Sequence, residues 1–202
     1  MPDLSHETRL GGIVAGVDEV GRGPLAGPVI ACACIIDPAT LPARLRDELD
    51  DSKKLSRAKR EALATLVLES CAVGIGEAGV EEIDRLNILK ATFLAMDRAL
   101  AALGRRVDCA LVDGNQRPPL QCAQVECLVG GDGLSLSIAA ASVVAKVRRD
   151  RIMADLAAEF PGYGWETNAG YGTAEHMEAL RRLGPTPHHR KSFAPIAQYS
   201  LL

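Results

Sequence analysis

The stretch Gly16-Val17-Asp18-Glu19-Val20-Gly21-Arg22-Gly23-Pro24-Leu25-Ala26-Gly27-Pro28 governs how this chain is read. An apolar run over residues 13–17 has the composition of a buried strand; it stops on two adjacent carboxylates, and a Gly-Arg-Gly turn follows at once. Successive strand side chains face opposite sides of a sheet, so Asp18 and Glu19 can share one site only where the strand frays or bends. Gly21 and Gly23 permit such a bend and let bare backbone N–H groups approach a ligand, while Arg22 adds a planar, phosphate-sized donor fork. The plainer alternative is a strand end with two solvated acids and a turn.

Residues 28–36 form a second apolar run, and the short Gly-rich link before it predicts antiparallel pairing of the two. Residues 41–54 are a polar excursion ending in Asp51-Ser52-Lys53-Lys54-Leu55-Ser56, with Ser56 placed to cap a helix over 57–71. A third strand is expected over 72–80. Ile83, Leu86, Leu89, Phe93, Met96, Leu100 and Leu103 recur at helical spacing, predicting one core helix over 81–103 stopped by Gly104. Strands over 109–112 and 122–129 run into Asp113-Gly114-Asn115 and Gly130-Gly131-Asp132-Gly133. A long Ala- and Val-rich helix over 137–160 follows, and then a helix capped by Thr173 and stopped at Gly184-Pro185. Antiparallel strands first, then strands alternating with helices, imply an α/β chain: a mixed central sheet flanked by helices, with ligands off the strand ends.

At 202 residues and 21.4 kDa, residues 1–202 suit a single domain. With 48% hydrophobic and 24% charged residues, the composition excludes a disordered or fibrous chain. A net charge of −3 does not argue against nucleic acid, because local patches escape it and a site made of acids pulls the balance negative. The cysteines at 32, 34, 71, 109, 122 and 127 form no CxxC pair and sit mostly in apolar runs, which reads as reduced core residues. The N-terminus MPDLSHETRL lacks the basic and apolar regions of a signal peptide, and nothing approaches the roughly 20 apolar residues of a membrane span. A cytoplasmic protein without membrane contact is expected.

Asp18, Glu19, Asp113 and Asp132 thus fall at or just past strand ends that one mixed sheet can bring together. Four carboxylates without a basic partner repel one another, and at least one has its pKa raised. Divalent cations resolve the conflict. Hard oxygen ligands with no His or Cys beside them favour Mg²⁺ or Mn²⁺, and two such ions about 3.5–4 Å apart clamp the attacking and leaving oxygens of a phosphoryl displacement. Asp150, between Arg149 and Arg151 in a predicted helix, reads as a local ion-pair partner instead. His188, His189, Arg190 and Lys191 read as a basic surface loop, with nucleic-acid contact as a second reading.

The blocks GVDEVGRGPLAGPV, DSKKLS, VDGN, SIAAASVVAKVRRDRIM, GYGTAEH and GPTPHHRKSF, in that order over about residues 13–196, resemble bacterial type 2 ribonuclease H. The resemblance implies a ribonuclease H-like fold with a C-terminal helical extension over about residues 161–202, contributing to substrate binding. It implies that Asp18, Glu19, Asp113 and Asp132 are the catalytic acids and the ligands of two Mn²⁺ or Mg²⁺ ions. The implied activity is hydrolysis of the RNA strand of RNA–DNA hybrids, and incision 5′ of single ribonucleotides in duplex DNA, leaving 3′-hydroxyl and 5′-phosphate. By the same resemblance Gly21, Arg22, Gly23 and Tyr171 read the ribonucleotide, whose 2′-OH is what distinguishes RNA from DNA. Ser52, Lys53 and Lys54 resemble a segment that contacts the nucleic-acid backbone; a solvated lysine pair is the alternative.

The family fold suggests a monomer. Type 3 ribonuclease H carries an extra N-terminal domain, for which the few residues before the first strand leave no room. A non-catalytic hybrid-binding module has no use for four acids, since carboxylates oppose phosphate unless metals bridge them. At the C-terminus, Gln198, Ser200, Leu201 and Leu202 resemble the short peptide that docks on bacterial sliding clamps; the alternative is a tail folded back on its own surface.

Overall fold

Helix α1 (Ser5–Leu10) leads into strand β1 (Val14–Val20), which pairs antiparallel with β2 (Val29–Ile35). The structure is a computed structural model and describes residues 1–201. Helices α2 (Ala43–Glu48) and α3 (Arg57–Ser70) follow, then β3 (Ala72–Ala78), antiparallel to β2. After α4 (Val80–Leu86) and α5 (Ile88–Ala102) come β4 (Cys109–Asp113) and β5 (Gln124–Leu128), with β4 parallel to both β1 and β5. The long α6 (Leu136–Glu159), the short α7 (Trp165–Asn168), α8 (Ala174–Leu183) and α9 (Ala194–Ala197) complete the order. The sheet reads β3-β2-β1-β4-β5, so the acid-bearing β1 is its central strand.

Both faces of the sheet are covered, which explains the unbroken apolar run of β2. Ile30, Cys32 and Cys34 pack with α3 and α6, whereas Val29, Ala31 and Ala33 pack with α5. Full burial of each larger aliphatic side chain here contributes about 1.5–3 kcal/mol. Helix α6 starts almost on top of β1: a Cβ placed on Gly16 would lie 2.2 Å from the Ser137 carbonyl carbon. Ala139, Ala140, Ala141 and Ala145 continue the close approach, all fully buried. Glu7 of α1 seals this helix start by accepting from Ser135 Oγ at 2.6 Å and Ser137 N at 3.0 Å, while Ser135 caps the helix through Ile138 N at 3.3 Å. The C-terminal segment builds a further cluster in which Tyr163, Trp165, Leu180 and Ile196 pack on Leu25, Ala26 and Met153.

The sheet, its mixed pairing and the helices on its faces agree with expectation. Three local readings change. Strand β1 does not end before the acids but runs through them to Val20. The helix expected over 81–103 is two helices, broken at Asn87, whose φ of 71° lies in the left-handed region and whose side chain caps α5 by accepting from Lys90 N at 3.1 Å. Apolar periodicity reports which side is buried and is blind to a break that keeps that side inward. The excursion over 41–54 contains α2, held by the buried Leu45.

Gly16→Ala is expected to cost about 1–3 kcal/mol through overpacking, lowering Tm by about 2–4 °C for each kcal/mol in a chain of this size. Thermal unfolding followed by circular dichroism checks this, and an unchanged Tm would show that α6 does not bear on β1.

Candidate active site

The β1–β4 ladder stops at Val17↔Val112, whereas the β1–β2 ladder continues through Asp18↔Cys32 and Glu19↔Ala31. The last residues of β1 therefore overhang the end of β4, where Asp113 stands. This removes the need for fraying. Asp18 faces α6 and is hydrogen-bonded to Ser142. Glu19 faces α5 and lines a cleft of about 150 Å³ with Thr92, Phe93, Met96, Asp113 and Asn115. Asp113, at the open strand end, bears electrostatically on both. Its Oδ1 accepts from Gly131 N at 2.7 Å, which ties the strand end to the turn holding Asp132.

The electrostatics are those of crowded, poorly solvated acids. Burial pushes Asp18 well above the usual carboxylate range, with the charges of Glu19 and Asp113 adding and the Ser142 hydrogen bond opposing. Glu19 is raised by burial and by Asp113, against Arg22, whose Nη1 lies 3.2 Å from Glu19 Oε1. Asp132 is raised by burial, Asp113 and Asp51, against Lys53. Among the described residues no three His, Cys, Asp or Glu side chains close into a ready-made metal cage. A hard divalent cation of the Mg²⁺ type needs none: it is held by one or two carboxylates and completes its shell with water and phosphate oxygens. The all-oxygen donor set and its unrelieved negative charge fit such an ion.

The Gly21–Pro28 loop beside the acids is fastened from behind by two buried arginines. Arg190 donates to the carbonyls of Gly27 (3.0 and 2.8 Å), Arg22 (2.9 Å) and Gly21 (2.5 Å). Arg149 of α6 donates to those of Pro28 (3.1 Å), Ala26 (3.1 Å) and Ala169 (2.9 Å). Gly21, at φ 95°, passes so close that a Cβ there would meet Arg149 Nε at 2.2 Å. The carbonyls are thus engaged, while the amides of Arg22 and Gly23 make no hydrogen bond among the described residues. Tyr171 borders the same loop: a Cβ on Gly23 would stand 3.3 Å from its ring, and the residue is 48% exposed.

Comparison with known proteins decides the family. The model of the family described as ribonuclease HII matches residues 15–196, which takes in the acids, the Gly-Arg-Gly loop and Tyr171. The chain belongs to the ribonuclease HII family. A ribonuclease HII of Paramagnetospirillum magneticum is 69% identical over 201 residues, covering 100% of both chains. Among solved structures, ribonuclease H2 of Pyrococcus horikoshii is 27% identical with a TM-score of 0.78, covering 94% of this chain and 98% of that one. A ribonuclease HII of Archaeoglobus fulgidus, solved in a complex with PCNA, is 25% identical with a TM-score of 0.73, covering 89% and 94%.

As a ribonuclease HII the chain is an endoribonuclease with a ribonuclease H-like fold, and the remaining predicted residues can be placed on that frame. Ser52 is buried, its Oγ 3.0 Å from Ser142 Oγ, so the Ser142 hydroxyl stands between it and Asp18. Lys53 lies within electrostatic reach of Asp132, and Lys54 is exposed with its Nζ 3.0 Å from Asp50. Asp150 pairs locally, as expected, but with Lys146 at 2.6 Å, since Arg149 is turned inward. The basic surface loop at 188–191 is a correction: His189 and Arg190 are fully buried. The proline-rich context suggested exposure, and only the carbonyls far away in sequence explain the burial. Ser142, Arg149, Arg190 and Asp51 carry no local signal marking their roles; Arg149 stands among Lys146, Arg148 and Arg151 with nothing to single it out as the buried one.

A raised pKa means that the folded chain holds the Asp18 proton more tightly than the unfolded one. Ionisation therefore costs stability as pH rises from the ordinary carboxylate range through the raised value. With divalent ions chelated, Asp18→Asn is expected to raise Tm by several degrees at neutral pH and to lose that gain once the pH falls below the ordinary carboxylate range. A lower Tm for the variant at neutral pH would show that Asp18 is not electrostatically strained.

Proposed function

We propose that Asp18, Glu19, Asp113 and Asp132 are the catalytic acids and hold two Mg²⁺ or Mn²⁺ ions, and that the enzyme hydrolyses the RNA strand of RNA–DNA hybrids. It also incises 5′ of single ribonucleotides in duplex DNA, leaving 3′-hydroxyl and 5′-phosphate. The observation that carries this reading is the overhang of β1 beyond β4, which gathers mutually repelling, half- to fully buried acids around one strand end. When bound, the ions supply charge neutralisation at phosphate and an activated water. The chain's own work is to hold the carboxylates close together in a fixed frame, where their mutual repulsion and poor solvation leave a charge that a bound cation would offset. The cleft is smaller than a hollow of about 700 Å³ bordered by Pro28, Glu77, Arg85 and His188, but a duplex lies on an open surface and needs no enclosure.

In this reading Gly21, Arg22 and Gly23 offer their unengaged backbone and the Arg22 fork to the ribonucleotide, and Tyr171 stacks or bonds beside them at the 2′-hydroxyl. Of the segment Ser52, Lys53 and Lys54, the two lysines meet the backbone phosphates beside Asp132, while Ser52, buried against Ser142, anchors them. Residues 1–202 act as one catalytic domain, monomeric, with residues 161–202 as the extension that brings Tyr171 to the site. The free thiols, three of them in the core, suit the reducing cytoplasm. The tail is read as a sliding-clamp contact through Gln198, Ser200, Leu201 and Leu202; the PCNA complex of the Archaeoglobus relative supports that class of partner. Leu202 lies outside the described residues, and Gln198 donates to Pro195 O at 2.9 Å.

The test is a DNA duplex with one embedded ribonucleotide, assayed with Mg²⁺, with Mn²⁺ and with chelator. Cleavage on the 5′ side that requires the ion, and near abolition by Asp18→Asn or Asp113→Asn with the duplex still bound, is the expected result. Near-wild-type turnover by either variant would remove the acid assignment.

A further inference from the structure

Behind Tyr171, two fully buried imidazoles face each other, His176 Nε2 lying 3.0 Å from His189 Nε2. Their protons can be assigned by bookkeeping. Thr186 N donates to His189 Nδ1 at 2.9 Å, so that nitrogen is bare and the His189 proton sits on Nε2, directed at His176. His176 Nε2 also receives Trp165 Nε1–H at 3.1 Å, so it too is bare, and the His176 proton is on Nδ1. That proton is donated to the backbone carbonyl of Tyr171 at 2.9 Å. One neutral pair of tautomers fits these donors, with Thr186 N and Oγ1 sharing His189 Nδ1 at 2.9 and 3.0 Å and Trp165 and His189 sharing His176 Nε2. A second proton on either ring would set two N–H groups head to head, and burial accordingly holds both histidines below their ordinary value, His189 at about 4.

We infer that His176 is a positioning residue for ribonucleotide recognition: its Nδ1–H, kept in that tautomer by His189, fixes the main chain of Tyr171 and so aims the ring past Gly23. The inference rests on the reading of Tyr171 given above. A tyrosine that is 48% exposed as a residue takes less of its orientation from packing, which leaves more of it to the backbone. Tyr171 N is tied to Asn168 O at 2.9 Å, and its carbonyl receives both Thr173 N at 2.8 Å and His176, the one side-chain donor to it among the described residues. His189 belongs to the segment that also holds the Gly-Arg-Gly loop, since Arg190 N donates to Leu25 O at 2.8 Å and Ala26 bridges to His189. The histidine pair thereby sets the reader against the same frame that carries the loop.

Two substitutions separate positioning from packing. In His176→Asn the amide nitrogen takes the place of Nδ1 and keeps the bond to Tyr171; in His176→Gln the amide reaches the Nε2 position and the bond is lost. On the single-ribonucleotide duplex, His176→Gln is expected to lower kcat/KM about tenfold, the scale of one lost hydrogen bond, with His176→Asn within about threefold of wild type. In a Tyr171→Ala background His176→Gln should cost nothing further. Equal losses for Asn and Gln, or the same loss from Gln in both backgrounds, would overturn the inference while leaving Tyr171 as reader. Wild-type incision by Tyr171→Ala alone would overturn both. Ring ¹⁵N NMR on the unaltered protein is independent of variant folding: His176 as the Nδ1–H tautomer is required, and the Nε2–H tautomer overturns the assignment.

Discussion

Two guanidinium groups without carboxylate partners hold this molecule's working parts together. Among the described residues every hydrogen bond of Arg149 and Arg190 ends on a backbone carbonyl, and both side chains are fully buried. Burial lowers their pKa to about 10 and about 9, which leaves both charged at neutral pH. The arrangement answers a local problem. A loop interrupted by Pro24 and Pro28, which have no N–H to donate, makes no continuous ladder, and each of its carbonyls left buried and unsatisfied would cost about 1–3 kcal/mol. Arginine, with five donors in a rigid fork, satisfies several at once and joins segments remote in sequence.

That fastening allows strained electrostatics next door. Asp18, Glu19 and Asp132 all have raised proton affinity, and free to move, such acids would separate or turn to water. They are denied this by position: Asp18 and Glu19 are inside the central strand, Asp113 is bound to Gly131, and Asp18 is bound to Ser142 on a helix that Gly16 draws onto the sheet. The repulsion is stored in the fold, and in the proposed reading a hard cation would relieve it, the usual exchange of stability for function at such sites.

How much of this was legible in sequence depended on whether the signal was local. The apolar runs, the Ser56 and Thr173 caps and the placement of Asp113 at the end of its strand are properties of neighbouring residues, and the structure agrees with them. What brings Asp18 and Glu19 beside Asp113 is not legible locally, because the overhang is a difference between two ladder lengths that no single strand records. Arg190 and His189 looked like surface residues because their partners lie about 160 residues upstream or inside another loop, as the bond from Arg190 to Gly27 shows. Asn87 was hidden within a stripe that stays apolar on both sides of it.

The rigidity of the Gly21–Pro28 loop is the claim on which the account stands, and native-state hydrogen exchange reads it directly. The Leu25 and Gly27 amides donate to Gly170 O at 2.8 Å and His188 O at 2.9 Å. They are expected to exchange as slowly as the β1–β2 ladder and to lose protection selectively in Arg190→Lys while β1 keeps its own. Exchange of these amides in the unaltered protein at the rate of an exposed loop would contradict the account.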